Sequence, residues 1–475
     1  MLFNTLKFFV FFTAVYALYR VLPHRWQNRL LLLSSYYFYG SWDWRFLSLL
    51  WITTLFDFVC ARRIAAAESR RAKRFWLIVS LSINLGVLGF FKYFNFFAHN
   101  FQAVASSVGW HVDPLTLRVI LPIGISFYTF QSISYVMDVY RGDMAPVRRL
   151  EDYAAFVAFF PQLVAGPISR APQLAPQIIN PRPRRLSAEQ CREALWLIVW
   201  GLFKKSFVAD NLAPWVDGVF ANSGAGSGAE ALLGVYAFAL QIYGDFAGYS
   251  DMARGLAKLL GVELVVNFRH PYFVTNPSDF WRNWHISLST WLRDYLYIPL
   301  GGNRHGALAT YRNLALTMLL GGLWHGAAWT FVAWGAYQGL LLIAHRLVQP
   351  VLQRHAVPAS HPWRPVMTAV ETLGLFHLTC LGWLLFRASS LTQAAAMLHN
   401  VFFHPVPTPQ AWRLLAAVLF YGGWFSAAWA AAWLLRRSWQ RAWLRPAAAG
   451  VLAGCMTYLL VFHRVATRAF IYFQF

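Results

Sequence analysis

One imidazole, His325, sits near the middle of residues 314–344, a stretch with no Asp, Glu, Lys or Arg, inside Gly321-Gly-Leu-Trp-His325-Gly-Ala-Ala-Trp329. An ionisable side chain at membrane depth costs a few kcal/mol or more unless it faces protein or a water-filled cavity, which makes it a candidate functional group. The competing reading is a neutral histidine hydrogen-bonded between helices. Imidazole is the side chain best matched to taking a proton from a hydroxyl near neutral pH, the step that acyl transfer onto an alcohol requires. A second polar stretch precedes it: Asp279-Phe-Trp-Arg282-Asn283-Trp-His285-Ile-Ser-Leu-Ser-Thr-Trp-Leu-Arg-Asp294, continuing to Gly-Gly-Asn303-Arg304. Other constellations are missing. There is no Gly-x-Ser-x-Gly elbow, no His-Glu-x-x-His and no Gly-x-x-x-x-Gly-Lys phosphate loop. His24, His99, His111, His355 and His361 lie at the ends of apolar runs or in loops and read as solvated or interfacial.

The elements that must position these groups are membrane helices. Of the 475 residues, 58% are hydrophobic, 18% aromatic and only 13% charged, a composition that excludes an ordinary soluble enzyme. The expected fold is an all-α polytopic membrane protein forming a single bundle. The net charge of +22 would suggest nucleic acid in a soluble protein. Here the basic residues cluster in short loops at 20–29, 62–74, 141–149, 170–192 and 436–445, the pattern of cytoplasmic loops, so anionic membrane lipid is the simpler partner and nucleic acid is not expected. Cys60, Cys191, Cys380 and Cys455 show neither metal spacing nor a disulfide framework; no metal site is expected and no role is assigned to them.

The first apolar run, residues 2–22, lacks a small-residue cleavage site and reads as a retained helix. Runs follow at 30–39, 46–60, 75–97, 117–140, 153–164, 194–203, 231–249, 314–344, 366–386, 414–435 and 447–462. The run at 30–39 is too short to span and is expected to be re-entrant or interfacial; 153–164 and 194–203 are short as well. About 10 or 11 spans are expected from the length of a spanning helix. The Gly/Ser-rich segment 221–228 reads as a periplasmic-side loop. Between the long runs, the stretch from Asp279 patterns as an amphipathic helix: Trp281, Trp284, Leu288 and Trp291 share one face, while Arg282, Ser289 and Arg293 lie elsewhere. Such a helix lies at an interface or dips into a cavity, the plain alternative being a solvated helix on the membrane surface.

The block from Asp279 to Arg304, taken with Gly321-Gly-Leu-Trp-His325, resembles the membrane-bound O-acyltransferase family in its bacterial polysaccharide O-acetyltransferase branch. Leu121-Pro-Ile-Gly-Ile-Ser-Phe-Tyr128, Phe160-Pro-Gln-Leu-Val-Ala-Gly-Pro-Ile168, Gly201-Leu-Phe-Lys-Lys205 and Ile242-Tyr-Gly-Asp-Phe-Ala-Gly-Tyr-Ser-Asp251 are similar to that branch in order and spacing. The chain departs from it at Gly244, where an aromatic is frequent, and at Ala247, where Ser is frequent. The resemblance implies a helical ring around a narrow transmembrane tunnel, constricted at the family histidine matched by His325, with the second family histidine matched by His285. It implies a catalytic role for His325, with His285 orienting the acyl group, assisting proton transfer or serving as a structural hydrogen-bonding group. Asn283, Arg282, Asp294 and Asp245 are supporting polar candidates, read in the first place as contacts between helices.

Residues 1–463 are expected to form one transmembrane domain, with 464–475 as an aromatic periplasmic tail ending Arg468-Ala-Phe-Ile-Tyr472-Phe-Gln-Phe475. On composition that tail is a belt anchor. By resemblance to aromatic-Tyr endings in this branch and in a small partner of the teichoic-acid D-alanylation system, Tyr472 is a candidate acyl relay. A phenol with a reference pKa of about 10 needs a base to act as nucleophile, and His325 is the obvious one. The implied activity is inner-membrane O-acetylation of an extracytoplasmic polysaccharide such as alginate, or of peptidoglycan. It uses acetyl-coenzyme A or a carrier-bound acetyl as donor, no bound cofactor, and a separate periplasmic hydrolase-like acetyltransferase with polymer-synthesis proteins as partners. A transporter would show pseudo-repeats or paired broken helices, which are not seen; a non-catalytic scaffold stays open.

Overall fold

Buried polar side chains join several helices of this protein to one another. The computed structural model describes residues 1–110, 117, 120–164, 166–181, 186–222, 226–354, 357–358, 360–437, 444–462 and 468–471, and among them there is no β-strand. The helices group into two compact units, residues 1–194 with 253–265, and residues 195–252 with 266–475.

The first unit opens with α1 (Leu6–Val21), α2 (His24–Asp43), α3 (Leu47–Ala66), α4 (Arg70–Leu88), α5 (Phe94–Ser107) and α6 (Ile125–Arg141). Three short helices follow, α7 (Leu150–Val157), α8 (Phe160–Leu163) and α9 (Ala171–Ile179). The short run at 30–39 proves to be the middle of the 20-residue α2, roughly 30 Å long. Its flanking polar residues are not a membrane surface but interior contacts. Asn28 donates to Asp152 Oδ1 (3.1 Å) and to the carbonyl of Ile178 (2.8 Å), and Ser35 accepts the amide of Phe160 (3.1 Å).

Asp57 of α3 is fully buried and accepts hydrogen bonds from Ser80 Oγ (2.5 Å) and from Asn84 Nδ2 to both its oxygens (2.8 and 3.0 Å), tying α3 to α4. Along α6, Ser126, Thr129, Gln131, Ser132, Ser134 and Asp138 are all buried. Such inward polar faces lower the hydropathy of helices that are nonetheless interior. Among the described residues, five helical stretches are long and apolar enough to cross a membrane: His24–Ala66, Arg70–Ser107, Gly228–Leu259, Trp329–Arg354 and Arg364–Arg387. The 10 or 11 spans expected from sequence therefore include helices that are shorter or more polar than that criterion.

The chain passes into the second unit within α10 (Ala188–Leu202) and continues through a π-helical turn (Phe203–Ala209) to α11 (Asp210–Ala221). The 32-residue α12 (Gly228–Leu259) begins in this unit and ends in the first. Gly201 and Gly248 let α10 and α12 touch backbone to backbone: a Cβ at Gly201 would lie 2.6 Å from the Gly248 carbonyl oxygen, and one at Gly248 2.7 Å from that of Gly201. Gly244, where the sequence departs from the branch, lies against the Lys204 carbonyl, 2.9 Å from where its Cβ would be, so a larger side chain would push α12 off the π-helical turn.

The remaining helices of the unit are α13 (Pro277–Asn283), α14 (Ile286–Leu292), α15 (Gly306–His325), α16 (Trp329–Arg354), α17 (Arg364–Arg387), α18 (Leu391–Phe403), α19 (Pro409–Arg437) and α20 (Leu444–Phe462).

Replacing Asp57 by Ala removes the acceptor for two buried donors. Hydrogen bonds inside membrane proteins average about 0.6 kcal/mol, but donors left unsatisfied cost about 1–3 kcal/mol each in dry surroundings. Asp57→Ala is expected to destabilise the protein by about 1–3 kcal/mol, read as a lowered unfolding midpoint in detergent titration. An unchanged midpoint would show that the network is not holding α3 to α4.

Candidate active site

The polar stretch from Asp279 is not one amphipathic helix. It is α13 and α14 broken at Trp284 and His285, followed by a π-helical turn (Arg293–Tyr297). Trp284 is extended (φ −106°, ψ 127°) and His285 is left-handed (φ 42°, ψ 53°). For a residue with a Cβ that conformation costs about 1–2 kcal/mol, so surrounding contacts must impose it. The break explains why helical spacing alone misread the segment: three of the four residues assigned to one face are buried, Trp281 is half-buried, and His285 and Ser287 outside that face are buried too. Trp284, Leu288 and Trp291 are buried, and Arg282 and Arg293 are exposed.

His325 is the last residue of α15, and its approach to α16 is set by glycine. Gly322 faces Phe331 and Gly335, and Gly335 faces Met318, so closely that an added Cβ at either would lie well inside the contact distance of the partner's backbone. Gly339 packs on Ala315 farther along, so the two helices run antiparallel through a seam of small residues. In the connection that closes this hairpin, Gly326 leaves the helix in extended conformation and turns the chain toward Trp329.

The two histidines converge. Their ring centroids are 6.5 Å apart, His285 is fully buried and His325 is 4% exposed. Around His325 stand Trp324 (5.0 Å), Trp334 (5.0 Å) and Phe386 (5.3 Å), all edge-on at 70–87°. His285 meets Phe246 of α12 at 4.6 Å and 89°, and Trp324 at 6.0 Å. Trp324 thus touches both imidazoles. Edge-to-face packing restrains each ring's rotation and keeps bulk water from both. Of the residues around the pair, Phe246 lay in the Ile242–Asp251 motif, whereas Trp334 and Phe386 carried no signal in the sequence beyond being aromatic.

The supporting candidates divide. Asp245 lies beside Phe246 on α12, with its carboxylate on Lys205 Nζ (2.6 Å) and on the backbone amide of Ile471 (2.6 Å). Lys205 also contacts Asp210 (2.8 Å), and Lys204 pairs with Asp251. Asn283 donates to the carbonyl of Asp279 in its own turn (2.8 Å). Arg282 is exposed and pairs with Asp279 (2.8 Å), and Asp294 pairs with its neighbour Arg293 (2.6 Å). These contacts are local in sequence, the first to a backbone carbonyl and the other two between side chains. Tyr472 lies outside the described residues. The segment before it, residues 468–471, is seated against α11 and α12: Arg468 pairs with Asp217, and Phe470 packs on Phe246 (5.5 Å) and Tyr249 (4.7 Å).

Residues 149–387, which contain both histidines and their aromatic surroundings, match the model of the membrane-bound O-acyltransferase family. The chain belongs to that family. It is similar to a probable alginate O-acetylase of Azotobacter vinelandii, with 44% identity over 421 residues covering 88% of this chain and 77% of the relative. It is also similar to a peptidoglycan O-acetyltransferase of Helicobacter pylori, with 38% identity covering 82% and 76%. A teichoic acid D-alanyltransferase of Bacillus subtilis is more distant, at 26% identity covering 56% and 68%. As a member of the family, the chain is an O-acyltransferase with a multi-pass, all-helical membrane fold.

The seam that carries His325 gives a direct test. Gly322→Ala and Gly335→Ala each insert a methyl where a partner backbone already sits, and overpacking of this kind costs about 1–3 kcal/mol. Both are expected to lower thermal stability and to abolish acyl transfer, whereas Gly374→Ala, which meets nothing within 4 Å, is expected to leave both unchanged. Full activity in Gly322→Ala would show that the close approach is not needed.

Proposed function

We propose that this protein carries acetyl from a cytoplasmic donor across the inner membrane for O-acetylation of an extracytoplasmic polysaccharide, alginate or a similar exopolymer. His325 acts as the general base. The observation that carries this reading is the convergence of His285 and His325 inside one aromatic enclosure, because two mobile-proton groups at 6.5 Å can engage one acetyl group and its acceptor together. In the step proposed, the acceptor hydroxyl oxygen attacks the carbonyl carbon of an acetyl thioester, from coenzyme A or a carrier, while His325 takes the hydroxyl proton. The C–S bond then breaks, and the imidazolium returns that proton to the departing thiolate. The negative end of α15 stabilises the positive ring between these events. His285 orients the carbonyl.

The first acceptor in this scheme is the phenol of Tyr472. Its segment is anchored two residues earlier by Phe470 against Phe246, the same ring that meets His285, and by the Arg468 and Ile471 contacts to Asp217 and Asp245. The resulting ester would be passed to a separate periplasmic hydrolase-like transferase working with polymer-synthesis proteins. A second acceptor, peptidoglycan, is favoured by the similarity to the peptidoglycan O-acetyltransferase of Helicobacter pylori.

Two outcomes check this reading. His325→Ala is expected to lower acetyl content of the polymer at least about 10²-fold at equal protein level, as loss of a general base does; a scaffold or transporter would keep it. Deleting residues 470–475 while preserving expression is expected to stop acetylation, and Asp217→Ala to weaken it partially by loosening Arg468. Full acetylation in the deletion would remove the relay and leave direct transfer at His325.

A further inference from the structure

The left-handed backbone at His285 needs an outside clamp, and the residues that supply it are on the segment after α12. Arg269 donates its amide to the carbonyl of Asn283 (3.0 Å), and Ile286 donates its amide to the carbonyl of Asn267 (2.9 Å). These two bonds bracket Trp284 and His285 on both sides. The side chain of Asn267 completes the clamp. Its Oδ1 accepts from the amide of Ser287 (3.2 Å) and from Ser287 Oγ (2.7 Å), while its Nδ2 donates to Ser250 Oγ on α12 (3.1 Å). Asn267 and Ser250 are each 1% exposed and Ser287 is 4% exposed, so water offers no substitute partner.

We infer that Asn267 is a positioning residue for His285: one amide ties the turn that carries the imidazole to the helix that carries Phe246. The carbonyl end holds the first turn of α14, and the amino end holds α12 one turn beyond Phe246. The demands are for a short group with two polar atoms; because the Ser250 hydroxyl can donate as well as accept, a carboxylate of the same length can also reach both partners, whereas a methyl reaches neither. Without it, Ile286 keeps its backbone bond, but the Ser287 amide and hydroxyl lose their shared acceptor, and the ring of His285 is free to move relative to Phe246. A displacement of about 1 Å at a reacting group can cost 10²-fold in rate.

This inference rests on the reading of His285 as part of the transfer site, and the test separates the two. Asn267→Ala, Asn267→Asp, His285→Ala and Asn84→Ala are compared for polymer acetyl content at equal membrane level and for unfolding temperature of the purified full chain. Asn84→Ala removes a buried network in the first unit and serves as a control for loss of stability alone. Asn267→Ala is expected to lose about tenfold or more of acetylation, while Asn84→Ala, though destabilised, keeps it near the parent level. Asn267→Asp, which still accepts both Ser287 bonds, is expected to recover most of the loss. Equal acetylation in Asn267→Ala and Asn84→Ala, or no recovery in Asn267→Asp, overturns the positioning role. Undiminished acetylation in His285→Ala overturns instead the reading on which it stands.

Discussion

A single buried ammonium organises much of the second unit. Lys205, 1% exposed, lies between Asp210 at 2.8 Å and Asp245 at 2.6 Å. A charge in such surroundings costs several kcal/mol to desolvate, and that cost is offset only if its partners hold still. The π-helical turn Phe203–Ala209 delivers Lys205 to α12, and Asp210 opens the next helix in position to meet it. The second oxygen of Asp245 then takes the amide of Ile471, so the same node that fixes α12 also receives the chain's last described residues. Phe246, one step along α12, is thereby placed against His285.

The histidine pair depends on two further constraints of different kind. At His325 the constraint is volume: Gly322 and Gly335 allow α15 and α16 to approach until backbone meets backbone, which fixes where the hairpin ends and the imidazole begins. At His285 the constraint is hydrogen bonding, since a left-handed residue between two short helices persists only when its neighbours' amides have fixed acceptors. Aromatic edges and backbone geometry constrain both histidines.

Much of this was legible in the chain and some was not, for physical reasons. A lone imidazole in an uncharged stretch marks His325 because burial of an ionisable group is costly whatever the fold. The buried face of Trp284, Leu288 and Trp291 follows from spacing of three and four, which survives the break because each half remains helical. The break itself is set by Asn267, some 20 residues away in sequence, and no local propensity reports a partner at that distance. Likewise α2 looked too short because the run at 30–39 is only its middle; Gln27 and Asn28 precede that run as polar residues, yet they are buried, as are Ser34 and Ser35 within it. Asp245 was read as a contact between helices, whereas its partner Lys205 stood out only as part of the Gly201–Lys205 motif, and their pairing was hidden.

That division bears on how such a site tolerates change. Interactions within one helical turn are re-formed by many sequences, as at Arg282, which pairs with Asp279, and at Asn283, which bonds the carbonyl of Asp279. Interactions that join distant segments have no local substitute. Asn267 joins the turn of His285 to α12, Asp245 joins α12 to the tail, and Trp324 touches both imidazoles at once. An acyl group crossing this enclosure must be met by two rings whose separation is set by those joints, so the joints and the histidines act as one unit. Their effects on transfer should therefore be less than additive when combined, as expected for groups whose shared purpose is a single distance.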